Sequence, residues 1–114
     1  MKLIDQPTSL LFLWENRETD LTEMMKIVVD VERKIVGLDA ELHADIESLM
    51  LENGSSQQYL WGANIYPDKK NSDGFLEYTS FINIRPSQNN RSMEVQDIDI
   101  QNAIKQIVNE LLID

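Results

Sequence analysis

The stretch KIVVDVERKIVGL, residues 26–38, decides the fold, because two different structures fit it. In one, residues 27–31 form a strand, the chain turns, and residues 35–38 return as a second strand rich in β-branched side chains. In the other, apolar residues recur at alternating steps of three and four from position 21 to position 42, as in a long amphipathic helix. β-branched side chains lose freedom in a helix, and Gly37 costs about 1 kcal/mol in a helix interior. The sequence therefore favours the hairpin, with the long helix as the alternative.

Helices are predicted on both sides of this stretch. Thr8 and Ser9 precede the apolar residues 10–14 and are typical N-caps, so a short helix is predicted there. On the other side, apolar residues between positions 46 and 50 have helical spacing, and Asp45 stands ahead of them as a cap. We expect the second helix to follow the hairpin directly.

The C-terminal half adds a second hairpin and a third helix. Residues 59–66 and 75–85 have the composition of strands, joined by a charged loop rich in turn residues. Residues 100–112 carry a continuous apolar stripe at helical spacing, with Asp97 or Asp99 as the cap. The whole order predicts a single α+β domain over residues 1–114, in which two hairpins form a small antiparallel sheet with helices packed on one face.

The charge of the chain argues against several classes of partner. Ten basic and twenty acidic residues give a net charge of −10, which repels nucleic-acid phosphates and anionic membranes. We therefore expect no nucleic-acid partner and no membrane association. There is no cysteine and one histidine, so disulfides, thiol nucleophiles and two-histidine metal sites are excluded. The N-terminus lacks the pattern of a secretion signal, and we expect a cytoplasmic protein.

The first polar cluster is ELHAD, residues 41–45, which contains the only histidine. In an extended backbone Glu41, His43 and Asp45 point to one side. Two carboxylates beside an imidazole are able to hold a divalent metal, or to orient His43 as a general base. The alternative is structural: Asp45 caps a helix, and Glu41 and His43 are solvated. The sequence favours this structural role, and identifies neither a metal nor a cofactor.

The second cluster is NIRPSQNNRS, residues 83–92, in which two of the four arginines lie six residues apart among amides and hydroxyls. Arginine offers a planar fork to carboxylates and phosphates, so the loop is a candidate pocket for a small anion. The candidate ligand-binding residues in it are Asn83, Arg85, Ser87, Asn89 and Arg91. In the structural alternative, which is favoured here too, these side chains bond the loop's own backbone.

Asn64 is a further candidate ligand-binding residue, because it is a polar residue inside an apolar strand. Asn83 has the same character in the next predicted strand, and the two strands are expected to pair. Buried amides need partners, which His43 or Arg85 are placed to supply. Gly62, in the same strand as Asn64, leaves room for a ligand or a second backbone to approach.

Four strings together resemble a family of small bacterial proteins known only as a domain of unknown function. They are VDVE at 29–32, ELHAD at 41–45, LWGANIYP at 60–67 and INIRPSQNNRS at 82–92. The likeness covers roughly residues 26–112. Where the family pattern leads us to expect a small or glycine-rich pair before ELHAD, this chain has Asp39 and Ala40. The resemblance implies no activity, ligand or catalytic residue to carry over.

Two classes of function follow from these clusters. The first is a small-ligand-binding or protein-interaction domain with a regulatory role, acting as a homodimer through its surplus apolar surface. The alternative is a metal- or anion-dependent hydrolase-like enzyme that uses His43 with Glu41, Asp45 and Arg85. The alternative requires residues 41–45 to meet the loop at 83–92 in space, because groups that alter each other's reactivity act within about 4–6 Å.

Overall fold

The computed structural model describes all residues from Met1 to Asp114, arranged as a five-stranded antiparallel sheet, a small second sheet and three α-helices. The strands are β1 (Lys2–Ile4), β2 (Thr8–Ser9), β3 (Met25–Asp30), β4 (Ile35–Leu38), β5 (Leu60–Ile65), β6 (Leu76–Glu77) and β7 (Leu112–Ile113). The helices are α1 (Leu10–Glu15), α2 (His43–Glu52) and α3 (Ile98–Leu111). The main sheet has the order β1-β4-β3-β5-β6, and β2 pairs with β7 in parallel. The predicted α+β class with an antiparallel sheet is confirmed.

The hairpin predicted for residues 26–38 is confirmed, and the long helix is wrong. β3 pairs with β4 antiparallel, with Ile27 opposite Leu38. One carboxylate oxygen of Asp30 accepts hydrogen bonds from the backbone N–H groups of Glu32 and Arg33 at 3.0 and 2.9 Å. Lys34 then takes a left-handed conformation at φ 57°. These local interactions close the turn between β3 and β4. A helical backbone over residues 30–34 would not allow them.

The predicted second hairpin is present, but its second strand is shorter than expected. β5 pairs with β6 only through Leu76 and Glu77, so the strand predicted for residues 75–85 is wrong over most of its length. Beyond β6 the chain makes a 3₁₀ turn at Phe81–Asn83, where the Ser80 hydroxyl accepts from the Ile82 N–H at 3.2 Å. A serine that bonds its own backbone in this way competes with the sheet ladder.

The helices cover both faces of the sheet, not one face as predicted. On one face α1 and α3 pack against the larger core cluster, which includes Ile27, Val29 and Trp61. On the other face Ile46 and Met50 of α2 pack against Val28 and Leu60. The reason is visible in β3 and β5, whose residues are buried on both faces, and such strands need a packed layer on each side.

The helix caps agree with the sequence at two of three positions. The Ser9 hydroxyl accepts from the Phe12 N–H in α1, and the Asp97 carboxylate accepts from the Asp99 N–H in α3. The cap predicted at Asp45 is wrong. α2 starts earlier, at His43, after Leu42, and Asp45 lies in its first turn. None of the helices is both long enough and apolar enough to cross a membrane.

Candidate functional site

His43 is the first residue of α2, and its imidazole is buried against β5. Its Nε2 lies 2.8 Å from the carbonyl oxygen of Ala63. A carbonyl only accepts, so Nε2 carries the hydrogen and donates it. Burial lowers the pKa of His43, the charge of Lys26 lowers it further, and the bond to Ala63 opposes them. The ring is therefore neutral at neutral pH, and its Nε2 is hydrogen-bonded to the backbone of β5.

Glu41 and Asp45 do not join His43 in a shared site. The Glu41 carboxylate is exposed and accepts from the Asp20 N–H at 3.1 Å. Asp45 is exposed on the first turn of α2, and its side chain makes no hydrogen bond. No group of three or more histidine and carboxylate side chains is arranged to hold a metal ion. The extended backbone that would have aligned the three residues is absent because the helix begins at His43.

Arg85 is buried and bonds extensively within the chain. Its guanidinium donates to the carbonyl oxygens of Ile82 at 3.0 Å, Gln57 at 2.8 Å and Leu60, and it pairs with the Glu47 carboxylate at 3.3 Å. It also lies over the Trp61 ring, 4.8 Å from the ring centroid. Burial lowers the pKa of Arg85, and the charge of Glu47 opposes this shift. The geometry favours the structural alternative for this residue, since four donor contacts are already made.

Asn83 takes the place of a strand partner for β5. Its side-chain carbonyl accepts from the Gly62 N–H at 2.8 Å, and its amide donates to the Gly62 carbonyl at 2.9 Å. The amide also donates to the Met93 carbonyl at 3.0 Å. Gly62 is required here because a Cβ on it would lie 2.5 Å from the Cβ of Ser80. The close approach predicted at Gly62 is thus made by the chain itself.

The remaining residues of the second cluster lie at the surface. Ser87, Asn89 and Arg91 are exposed, and Asn89 adopts a left-handed conformation at φ 59°. The Arg91 guanidinium has no hydrogen bond or ion pair within the chain. Buried Asn90, which was not among the predicted site residues, ties the loop together by donating to the carbonyls of Asn83, Ser92 and Glu94.

Asn64 and Asn83 do not bond each other. The Asn64 amide donates to the Glu77 carboxylate at 2.9 Å, and Glu77 also accepts from the Tyr66 hydroxyl at 3.2 Å. The side-chain oxygen of Asn64 is buried without a hydrogen-bond partner. Asn64 also lies close enough to His43 to raise the histidine's pKa, against the larger effect of burial.

The two sequence clusters do converge on one strand. His43 contacts Ala63, Asn83 contacts Gly62 and Arg85 contacts Leu60, all in β5. Glu47, which pairs with Arg85, lies one helical turn from His43 on α2. The convergence forms a buried polar layer between α2 and β5, held by hydrogen bonds to the backbone.

A groove lies elsewhere, on the side of the sheet covered by α3, and we call it the α3 groove. Its volume is about 420 Å³, within the range of small-molecule sites. Phe75, Leu76 and Tyr78 supply its apolar wall. The polar lining residues are Lys70, Asn71, Ser72, Asp73, Lys105 and Asn109.

Several donors in the α3 groove have no partner within the chain. The side chains of Lys105, Asn109 and Asn71, and the hydroxyl of Tyr78, make no intramolecular hydrogen bond. Burial raises the pKa of Tyr78, so its hydroxyl keeps its proton at neutral pH. Lys70 differs, because its ammonium donates to the Leu112 carbonyl at 3.0 Å. The groove therefore offers a set of free donors to a ligand.

In the sequence, only a weak signal marks these residues, and none of them was predicted as a site residue. Lys105 and Asn109 are four residues apart on α3 and so share one face of the helix. Lys70 and Tyr78 come from the loop and β6 region, about thirty residues earlier in the chain. The spacing of residues in the sequence does not indicate that α3 and the region around β6 lie side by side.

A family model described as "Protein of unknown function (DUF5674)" matches residues 2–111, nearly the whole chain. This match confirms the resemblance to a domain of unknown function. No curated protein and no solved structure matches the chain.

Proposed function

Because the chain belongs to this family of unknown function, we propose its function from the site itself: it binds a small anionic molecule in the α3 groove. One observation carries the proposal. The groove combines Lys105 with the free amide and hydroxyl donors of Asn109, Asn71 and Tyr78 in a cavity of small-molecule size. Lys105, Asn109 and Asn71 are exposed, so an anion in the groove accepts hydrogen bonds that these donors otherwise give to water.

The charge distribution supports an anion in particular. The chain as a whole carries a net charge of −10, yet the groove lining has two lysines against one carboxylate, Asp73. Hydrogen bonds from a charged donor are roughly twice as strong as those between neutral groups. The charged side chains of the lining thus sum to the opposite sign from the chain as a whole.

The composition of the groove favours binding over catalysis. Its lining contains no histidine, and Asp73 is its only carboxylate. The hydroxyl of Ser72 donates to the Lys69 carbonyl at 2.7 Å and makes no hydrogen bond to Asp73, so it is not paired with a base. The proposal is therefore the small-ligand-binding class, and the hydrolase-like alternative has no corresponding set of groups in this groove.

The experiment is a titration of the protein with inorganic phosphate, benzoate and phenyl phosphate, followed by thermal shift and by amide chemical shifts. The test variant is Lys105→Gln, and the matched control is Lys34→Gln, which removes the same charge from an exposed residue outside the groove. A ligand at 100 times its Kd adds about 2.7 kcal/mol, or a rise of several degrees in Tm for a domain of this size. We expect this rise in the wild type and in Lys34→Gln. Lys105→Gln should bind about tenfold more weakly.

A third variant separates the groove from the loop that the sequence predicted. Arg91→Gln removes the free guanidinium of the 83–92 loop, and we expect it to bind like the wild type. Loss of binding in Arg91→Gln, with none in Lys105→Gln, would move the site to that loop. Absence of any shift with all three anions at tens of millimolar would overturn the proposal.

Self-association stays a prediction, with one surface to support it. Phe81 and Ile84 are 77% and 44% exposed, three residues apart in the segment beside α2. Apolar side chains of this size at a surface favour contact with another protein. Sedimentation equilibrium of the wild type and of Phe81→Ser tests the homodimer. A cytoplasmic location and the lack of a nucleic-acid partner also stay predictions from the sequence.

A further inference from the structure

A second, smaller cavity adjoins the α3 groove, and we call it the α1 cleft. Its volume is about 160 Å³, and it lies between α1 and the loop that follows β5. Leu10, Leu11, Trp14 and Pro67 form its apolar part. Lys70 lines both cavities, so the two lie next to each other on either side of this residue.

We propose that the ligand of the α3 groove is an anionic amphiphile, whose apolar chain lies in the α1 cleft and whose anionic group lies beside Lys105. This inference rests on the proposed function and names the class of ligand. The two cavities supply the two halves of such a molecule: free polar donors on one side of Lys70, and exposed apolar surface on the other.

Leu11 supplies exposed apolar surface to the cleft. Its side chain is 60% exposed, whereas Leu10 beside it belongs to the core. Burying Leu11 against a bound chain removes apolar surface from water, which is favourable in proportion to its area. A cleft of this volume fits a short chain rather than a long lipid tail.

The charges around the two cavities fix the orientation of the ligand. Asp68 and Asp114 line the α1 cleft, and both would repel an anionic group placed there. Lys105 lines the α3 groove and not the α1 cleft. Lys70 lines both cavities, and its ammonium donates to the Leu112 carbonyl at 3.0 Å and lies 5.0 Å from the centre of the Phe75 ring. An anionic head therefore points towards Lys105 and an apolar tail towards α1.

The test is a homologous series of carboxylates, from acetate through butanoate and hexanoate to octanoate. Each buried methylene is worth about fourfold in affinity, and partial burial lowers this to about twofold. We expect Kd to fall steadily along the series until the chain outgrows the cleft. Trp14 lines the cleft, so its fluorescence should change with octanoate and not with acetate.

Two variants locate the chain and the head group. Leu11→Gln should lose about fivefold in octanoate affinity with acetate affinity unchanged, whereas Leu51→Gln, at an exposed leucine on α2, should bind both as the wild type does. Lys105→Gln should weaken the whole series equally.

The outcomes distinguish this inference from the proposed function. Equal affinity for acetate and octanoate, both dependent on Lys105, overturns the amphiphile and leaves the anion site standing. A chain-length gain that persists in Leu11→Gln also overturns it, because the tail then lies elsewhere. Failure of every anion to bind removes the proposed function and this inference together.

Discussion

The guanidinium of Arg85 lies 3.3 Å from the carboxylate of Glu47, and this is the only ion pair in the structure. The two side chains are 8% and 14% exposed, so the pair is shielded from solvent between α2 and the segment after β6. Most of the surrounding acceptors are backbone carbonyls. The Arg85 side chain therefore joins α2, β5 and the loop between them.

We predict that Arg85→Leu destabilises the protein by about 3 kcal/mol. The substitution leaves the Glu47 carboxylate without its counter-charge and the buried carbonyl oxygen of Leu60 without its arginine donor, and a buried unsatisfied acceptor costs about 1–3 kcal/mol. Glu47→Gln should also cost about 3 kcal/mol, because it leaves the buried Arg85 guanidinium without its counter-charge. Urea unfolding measures both. Arg91→Leu, at an exposed arginine, is the control and should change stability by less than about 0.5 kcal/mol.

The stability of the protein should fall in weak acid through His43. Burial lowers the pKa of His43 below its ordinary value of 6.5, so the unfolded chain takes up a proton at higher pH than the folded chain. The free energy of unfolding therefore decreases as the pH falls through 6.5 and below. One proton gives a slope of at most about 1.4 kcal/mol per pH unit.

His43→Gln is the variant that isolates this contribution, since a glutamine amide is still a donor for the Ala63 carbonyl. Urea unfolding between about pH 7.5 and 5.5 should show a flatter dependence in His43→Gln than in the wild type. Parallel curves for the two proteins would contradict the prediction. The chain has no other histidine, so few other side chains titrate in this range.

Asn83→Ala should destabilise the protein by about 3 kcal/mol. The side chain is fully buried, and its loss leaves both backbone groups of Gly62 and the Met93 carbonyl without their partner. Asn83→Asp should be at least as harmful, because a carboxylate would face two carbonyl oxygens. Asn102→Ala, on the exposed face of α3, provides the comparison in thermal and urea unfolding. A cost below about 1 kcal/mol for Asn83→Ala would show that the strand edge finds other partners.

Gly37→Ala should cost about 2 kcal/mol, because it intrudes on the contact between β4 and α2. A Cβ at Gly37 would lie 2.5 Å from Cγ2 of Ile46 and 2.9 Å from Sδ of Met50. Gly74→Ala is the matched control, since its Cβ would meet only the flexible Lys69 side chain at 3.1 Å. An unchanged Tm for Gly37→Ala would mean that α2 moves freely on the sheet.

The local elements were largely predictable, because they follow from nearest neighbours in the chain. The β-branched residues on either side of the turn at 31–34 indicated the hairpin, and the regular stripe of α3 indicated its helix. The strand expected at residues 75–85 was wrong because Ser80 and Asn83 bond backbone groups in place of a ladder. The periodicity of a sequence shows which residues are apolar. It does not show which polar side chain will form hydrogen bonds to the backbone at the edge of a strand.

The sites were less predictable than the fold. The sequence correctly directed attention to His43, Asn83 and Arg85 as unusual polar residues, and the structure brings all three to β5. Apart from Glu47, their partners are backbone carbonyl and N–H groups, and every residue type carries these, so the sequence does not identify them. The α3 groove combines Lys105 with a loop about thirty residues away, and no local pattern could have joined them.

The sequence by itself determined the strongly negative charge, and it predicted the α+β class, favoured the central hairpin over a long helix and placed the caps of α1 and α3 within a few residues, because each depends on composition or on residues close in the chain. Only the tertiary structure decided that the helices cover both faces of the sheet, that the Arg85 guanidinium forms its hydrogen bonds within the chain and that Lys105 has no partner within the chain. Those facts depend on which distant segments pack together. Burial and hydrogen bonding are properties of that packing, and a residue type alone does not carry them.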